Sequence, residues 1–259
     1  MSRTLRTVQA TAYIQPLREG GSLPAIMAGD DDALYVVKFR GAGQGQRALI
    51  AELLGGEIAR ALGLLVPELV FVELDAALGR AEPDPEIQAL LLASTGLNLA
   101  LAYLPGALAF DPLRDAPDPA LAAEIVWCDA YLTNVDRTPR NTNLLVWQNK
   151  LWLIDHGAAL FFHHGWDNYL ASSKSPFRYI RDHVLLPFAG DLLAADTALV
   201  PRLLPPTIGE IVDLIPDEWL RDEPQFATPD EHRRAYRDYL VSRLAAPRAF
   251  VSEAISAHR

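Results

Sequence analysis

The sequence predicts an α+β protein: a small antiparallel sheet near the N-terminus, one main helix beside it, and a mostly helical C-terminal part. Three observations predict it. Residues 8–40 alternate β-branched and aromatic runs with glycine- and aspartate-rich turns, the pattern of a strand meander. Residues 46–62 repeat apolar side chains every three or four positions, the pattern of an amphipathic helix. Beyond residue 187 the pattern is helical almost throughout.

In order, Val8–Pro16 and Leu23–Ala28 read as strands, with Gly20-Gly21-Ser22 between them and Asp30-Asp31-Asp32 as the next turn. Ala33–Arg40 (ALYVVKFR) is the third strand. Its Lys38 is flanked by Val37 and Phe39, which point to the opposite face. An ammonium in a buried strand needs an opposite charge, whereas on an exposed edge strand water suffices. After a loop, the helix over Gln46–Leu62 carries Leu49, Leu53, Leu54, Ile58, Ala59 and Leu62 on one face, with Gly63 placed as its C-cap and Pro67 beyond.

Glu68–Leu74 is another strand, and Asp75–Glu86, with Gly79, Pro83 and Pro85, reads as a loop. Ile87–Ala93 and Leu97–Leu104 are apolar; the second is predicted to be a strand ending at Pro105-Gly106. The proline-rich stretch Pro105–Pro119 marks a boundary. Asp118 is placed to cap a helix with Pro119 at its first position and running through Ala120–Leu132.

Leu144–Trp147 and Leu151–Ile154 flank Gln148-Asn149-Lys150 and predict a β-hairpin. Asp136 and Asn141 lie in the polar loop before it, and Asp155 leaves it at the same end, followed by His156-Gly157. Converging Asp and Asn oxygens suit Mg²⁺, a hard cation that takes few protein ligands and leaves room for phosphates. Asp136 and Asn141 are also suited to capping a turn, a reading that leaves Asp155 without a role.

Further on, His163 and His164 are adjacent, so their side chains diverge; both are read as surface loop residues rather than metal ligands. Ser172, Ser173 and Ser175 are read as exposed serines open to phosphorylation. Pro187–Leu193, Pro206–Leu214 and Pro229–Ile255 read as helices, and Trp219, between Pro216 and Pro224, as packing locally.

The 259 residues allow one or two domains, and half of them are hydrophobic, enough for a sizeable core and too many for a disordered chain. The net charge of −10 and the pI near 5.0 argue against a nucleic-acid partner. Cys128 is the one cysteine and reads as a small buried hydrophobe; it has no partner for an internal disulfide, which fits a reducing compartment. The N-terminus MSRTLRTVQATAY lacks the apolar core of a signal peptide, and no apolar run reaches the ~18 residues of a membrane span. A cytoplasmic protein without a membrane partner is the expectation.

Asp136-x4-Asn141, a hairpin, then Asp155-x-Gly157 resembles the catalytic and metal loops of the protein-kinase-like superfamily. Within it, Asp136-Arg-x-x-x-Asn141-x-x-Leu-Leu is most similar to the HipA-like kinases, and the resemblance extends over about residues 8–162. It implies a two-lobed kinase fold, with residues 1–105 as the nucleotide-binding N-lobe and 106–259 as a helical C-lobe. It implies ATP and Mg²⁺ as cofactors and phosphoryl transfer to a hydroxyl. A protein Ser/Thr is the implied acceptor, and a small-molecule hydroxyl, as in antibiotic kinases of related fold, is the close alternative. A non-catalytic pseudokinase acting through protein partners is the rival of another class; an antitoxin-like partner belongs to the same resemblance.

The resemblance also implies roles. Asp136 would orient the acceptor hydroxyl, Asn141 and Asp155 would hold Mg²⁺, and Lys38 would bind the α/β-phosphates. Glu52 would hold Lys38, because Ala61–Pro67 aligned with similar HipA-like segments puts it at the expected place and leaves Glu57 as surface charge. Gly20, Gly21 and Ser22 stand where the phosphate-covering loop belongs, though an ordinary hairpin turn explains them equally. Ala102, Tyr103 and Leu104 stand at the adenine-binding hinge, or else are a core strand running into a turn. Asn134-Val135 in place of His-Arg, His156 in place of Phe, and the missing Ala-Pro-Glu depart from the ordinary protein-kinase pattern. A compact form without the extra N-terminal subdomain of full-length HipA-type toxins is the expectation.

Overall fold

The computed structural model describes residues 3–17, 23–43 and 45–259, so Gly20, Gly21 and Ser22 lie outside the described residues. Strands β1 (Thr7–Pro16), β2 (Ala25–Gly29) and β3 (Leu34–Lys38) form the expected meander. Helix α1 (Gln46–Ala61) crosses to β4 (Leu69–Leu74), and helices α2 (Ala76–Ala81) and α3 (Pro85–Ala93) lead to β5 (Gly96–Ala102). Gly63, at φ 87°, ends α1 as expected.

The sheet is not the simple antiparallel one expected. It closes into a barrel, β1-β2-β3-β5-β4, because Thr7–Gln9 pair in parallel with Phe71–Glu73. The crossover through α1 returns the chain in the direction of β1, which a tight hairpin cannot do. The expected loop over Asp75–Glu86 is also corrected. Asp75 and Asp84 accept first-turn N–H groups and cap α2 and α3, and Pro85 occupies a first-turn position where its missing N–H costs nothing.

Alternation assigns the strand faces. Val37, Val70, Val72 and Ala100 point into the barrel, while Leu69, Phe71, Leu99 and Leu101 point outward into a second, larger core. Helix α1 is buried on nearly every side from Leu49 to Ala59, rather than along the single face expected, because it lies between the barrel and the helical part. Its small residues permit close approach: a Cβ on Gly55 would stand 2.6 Å from His156 Cβ, and one on Gly56 2.6 Å from Leu69 Cδ1.

A short β6 (Leu108–Ala109) and α4 (Pro119–Leu132), capped by Asp118, precede the hairpin β7 (Leu144–Trp147) and β8 (Lys150–Leu153). The hairpin turns through Gln148 and Asn149, both at positive φ, the geometry of a two-residue type I′ turn. The rest comprises α5 (Tyr169–Ser172), α6 (Leu192–Leu199), α7 (Pro205–Val212), α8 (Pro229–Leu244) and α9 (Ala249–His258), joined by short 3₁₀ turns.

Three expectations for the C-terminal part change here. Pro187 lies in a 3₁₀ turn, and the helix beyond it begins only after the Asp191 cap. The pattern over Pro229–Ile255 is two helices, parted before Pro247, which cannot extend α8. Trp219 does not pack locally: its ring meets Phe71 at 5.6 Å and its Nε1–H donates to the Leu97 carbonyl, tying the C-terminal part to the barrel. No described helix is long and apolar enough to cross a membrane.

Candidate active site

The site forms where β3, α1 and the loops flanking the β7–β8 hairpin meet. β3 lies between β2 and β5, so Lys38 is on an interior strand and the edge-strand alternative fails. Opposite Val37, Lys38 faces α1; its side chain is 11% exposed. Its Nζ donates to Asp155 Oδ1 at 2.6 Å, while Glu52 Oε2 is 3.9 Å away. The ion pair with Glu52 is present, but Asp155 is the nearer partner.

Glu52 is 1% exposed, and neither of its oxygens has a hydrogen-bond partner among the described residues. His156 Nδ1 lies 3.8 Å from it, and both ring nitrogens of that buried histidine are unpartnered as well. Burial pushes the Glu52 carboxyl up, but the Lys38 ammonium and His156 outweigh it and hold the carboxyl at about 2. Burial likewise pushes Lys38 down, and the charges of Glu52 and Asp155 leave it raised overall. Glu52 and Lys38 are therefore an ion pair at neutral pH, with the Asp155 side chain on the other side of the ammonium. Glu57, expected at the surface, is instead buried and paired with Arg3 at 2.9 Å.

Across the site, Asp136 Oδ2 accepts from Asn141 Nδ2 at 2.7 Å and from Asn143 Nδ2 at 3.3 Å. The Asp136 carboxylate is thereby held by one oxygen, with Oδ1 outside those bonds. Asn141 spends its amide nitrogen on Asp136, which leaves its oxygen for another partner. The charge of Asp136 also helps to raise Lys38.

The backbone here is unusual. Thr133, Asn143, Asp155 and Leu160 all adopt left-handed φ values between 49° and 56°. Such residues are strained, and strain concentrates at working sites. Thr133 ends α4 in this conformation and its hydroxyl accepts the Phe161 N–H at 3.1 Å, joining the end of α4 to the segment after Asp155.

At the expected hinge, the N–H groups of Ala102 and Tyr103 are already bonded to the Glu68 and Leu34 carbonyls. Of the three, Leu104 is the one whose N–H lies outside those bonds. Two further surface expectations are corrected. His163 is buried, with Nδ1 3.0 Å from the Tyr236 hydroxyl, and burial first, then His164 and Arg47, push it well below the ordinary histidine range. Ser173 is buried and bonded to Ser242 at 2.8 Å, out of reach of a modifying enzyme.

Sequence reasoning missed Asn143, and with it a buried group beneath the loop: Asp129, Arg137, Asn134 and His183. Asp129 Oδ2 accepts from Arg137 Nε at 2.6 Å and from His183 Nε2 at 2.9 Å, and Oδ1 from Asn134 Nδ2 at 2.9 Å. Burial raises the Asp129 carboxyl, yet the adjacent Arg137 guanidinium prevails and keeps it well below the usual carboxylate range. The available signal was an acidic residue inside the apolar run Ile125–Leu132, a place no carboxylate occupies without a partner.

A family profile described as HipA-like kinase matches residues 11–248. No curated protein matches the sequence significantly. Among solved structures, that of the Helicobacter pylori proinflammatory kinase CtkA is 14% identical, covers 97% of each chain and superposes with a TM-score of 0.56, a likeness of fold. The Golgi casein kinase with Mn/ADP bound is 12% identical over 99% of this chain and 74% of that one, with a TM-score of 0.49.

Proposed function

The chain belongs to the HipA-like kinase family and is a phosphotransferase; from that premise we propose that it moves the γ-phosphoryl group of ATP to a serine or threonine hydroxyl of a protein. The observation that carries this reading is the 2.6 Å contact of Lys38 with Asp155, which brings residues far apart in sequence to one point beside Glu52. Residues 1–105 act as the nucleotide lobe and 106–259 as the acceptor lobe.

The donor set fits a hard divalent cation: the Asp155 carboxylate and the free amide oxygen of Asn141. Among the described residues no cluster of three or more His, Cys, Asp or Glu would hold a metal unaided, and a Mg²⁺ held by Asp155 and Asn141 would leave room for phosphate oxygens and water. A bound Mg²⁺ supplies neutralisation of phosphate charge during transfer. The protein supplies positioning. Lys38 passes from Asp155 to the α/β-phosphates, and Glu52 keeps it charged and in place. Asp136 Oδ1 orients the acceptor hydroxyl and takes its proton, while Asn141 and Asn143 fix Oδ2. Leu104 N–H bonds the adenine edge, beside Ala102 and Tyr103.

The test combines melting with turnover. Saturating Mg-ATP raises the melting temperature of the wild type and of Asp136→Ala alike, since Asp136 does not hold the nucleotide. Phosphate incorporation falls by about 10²–10⁴-fold in Asp136→Ala, the usual range for a lost general base. No shift and no incorporation at millimolar nucleotide overturns the reading. A shift without incorporation into proteins or small-molecule alcohols makes the protein a nucleotide-binding module instead.

A further inference from the structure

Arg137 has no part in the chemistry proposed above, yet it is 1% exposed and its side chain reaches three segments of the site. Nε is bonded to Asp129 on α4. Nη1 donates to the carbonyl of Asn143 and to that of Ile154, the latter at 3.2 Å. Each contact is one step from a candidate functional group. Arg137 follows Asp136 in sequence, Asn143 donates to the Asp136 carboxylate, and Ile154 immediately precedes Asp155. From this geometry we infer that Arg137, clamped by Asp129, is the positioning residue that sets the separation between Asp136 and Asp155. It thereby registers the acceptor hydroxyl against the metal-held phosphoryl group. This inference rests on the phosphotransfer reading.

The rest of the group supports a dedicated clamp. His183 Nδ1 accepts the Leu185 N–H at 3.0 Å, so its proton is on Nε2 and it reaches Asp129 as a neutral donor. Asp129 therefore faces one cation, Arg137, and the set is electrically closed. The Val184 N–H bonds the Arg137 carbonyl at 3.0 Å, keying the chain beyond the metal loop to the same place. Nη2 of Arg137 is buried without a partner among the described residues. A buried ion pair with an idle donor is poor use of stability alone, and an apolar pair of the same volume would serve that better. The planar fork is what the position needs, because only it spans a carboxylate and two carbonyls at once. A lysine keeps the charge and loses that span.

The experiment uses the full chain and three variants: Arg137→Lys, Asp129→Asn, and Arg248→Lys. The last alters a remote ion pair with Asp196, between α6 and α9, and controls for general loss of stability. ADP affinity is measured with and without Mg²⁺, alongside kcat for phosphate transfer per folded molecule. In Arg137→Lys the metal-free ADP affinity stays within about threefold of wild type. The gain in affinity on adding Mg²⁺ falls about tenfold, and kcat falls about 10²-fold, as misplacing reacting groups by an ångström does. Asp129→Asn gives the same pattern, and decides the matter if Arg137→Lys does not fold. Arg248→Lys melts earlier and changes neither quantity. An unchanged Mg²⁺ gain and kcat in both Arg137→Lys and Asp129→Asn overturns the clamp, as do losses that match those of Arg248→Lys. A wild type that binds Mg-ADP and transfers nothing sinks the kinase reading, while the Mg²⁺ gain still decides the clamp. A wild type that binds no nucleotide removes both.

Discussion

Lys38 stands between two carboxylates with only one ammonium to share, and its removal exposes what it offsets. In Lys38→Met, Glu52 remains buried without its ammonium partner, and stability falls by about 3–5 kcal/mol, the cost of breaking a buried pair. Chemical denaturation measures this, and adding Glu52→Gln to that variant restores most of the loss. The sign of the pH dependence follows from the depressed Glu52 carboxyl. Its folded value near 2 lies below the ordinary 4.5, so its contribution is complete above the ordinary value and drains away as pH falls from 4.5 towards 2. Denaturation curves over that range show a shallower acid loss in Glu52→Gln than in the wild type. Lys38, Glu52, Asp136, Asn141 and Asp155 were named in the sequence through the resemblance to HipA-like kinases, Glu52 by aligning Ala61–Pro67, and the fold brings Lys38, Glu52 and Asp155 together. Arg137 appeared in the motif without a role, since its partners Asp129, Asn143, Ile154 and His183 are gathered only by the fold.

Among the elements, α1 does most to shape the site, and Gly55 is where it touches the loop after β8. Alanine there improves helix propensity by about 1 kcal/mol in an exposed helix. Here the added methyl would meet His156 Cβ at 2.6 Å, and the loop that carries Asp155 must yield. Gly55→Ala is expected to lower the melting temperature and to lower kcat further than the folded fraction accounts for, read by calorimetry and steady-state transfer. The sequence showed α1 by its periodicity, yet its all-round burial depends on neighbours that no local window contains. The reverse error occurred at α2 and α3. There Pro83, Pro85 and Gly79 were taken as breakers, although Pro85 sits where a helix start accepts it and Gly79 lies where a Cβ would approach Leu92 at 3.0 Å. Composition signals a turn; position relative to a cap decides whether one forms.

At the scale of the molecule, the barrel and the helical part are braced from behind by Trp219, Arg40 with Glu218 at 2.7 Å, and Arg47 with Glu223 at 2.6 Å. The ion pairs are partly exposed and each contributes little, so the tryptophan dominates. Trp219→Ala is expected to cost about 3–5 kcal/mol, at about 2–4 °C of melting temperature per kcal/mol in a chain of this size. Scanning calorimetry checks it, and an unchanged melting temperature would refute the brace. None of this was legible beforehand: two flanking prolines suggested a self-contained turn, and nothing along the chain announces a contact with Phe71 or Leu97. The parallel pairing of β1 with β4 was equally invisible, because it joins segments on either side of a whole crossover.

That pairing has a consequence for how the closed sheet gives way. A ring of strands has no outermost member to peel first, so its amides share one opening event. Deuterium uptake should reach Val8, Val37 and Val72 at a common rate, and a lag between them would mean that the ring parts at a seam.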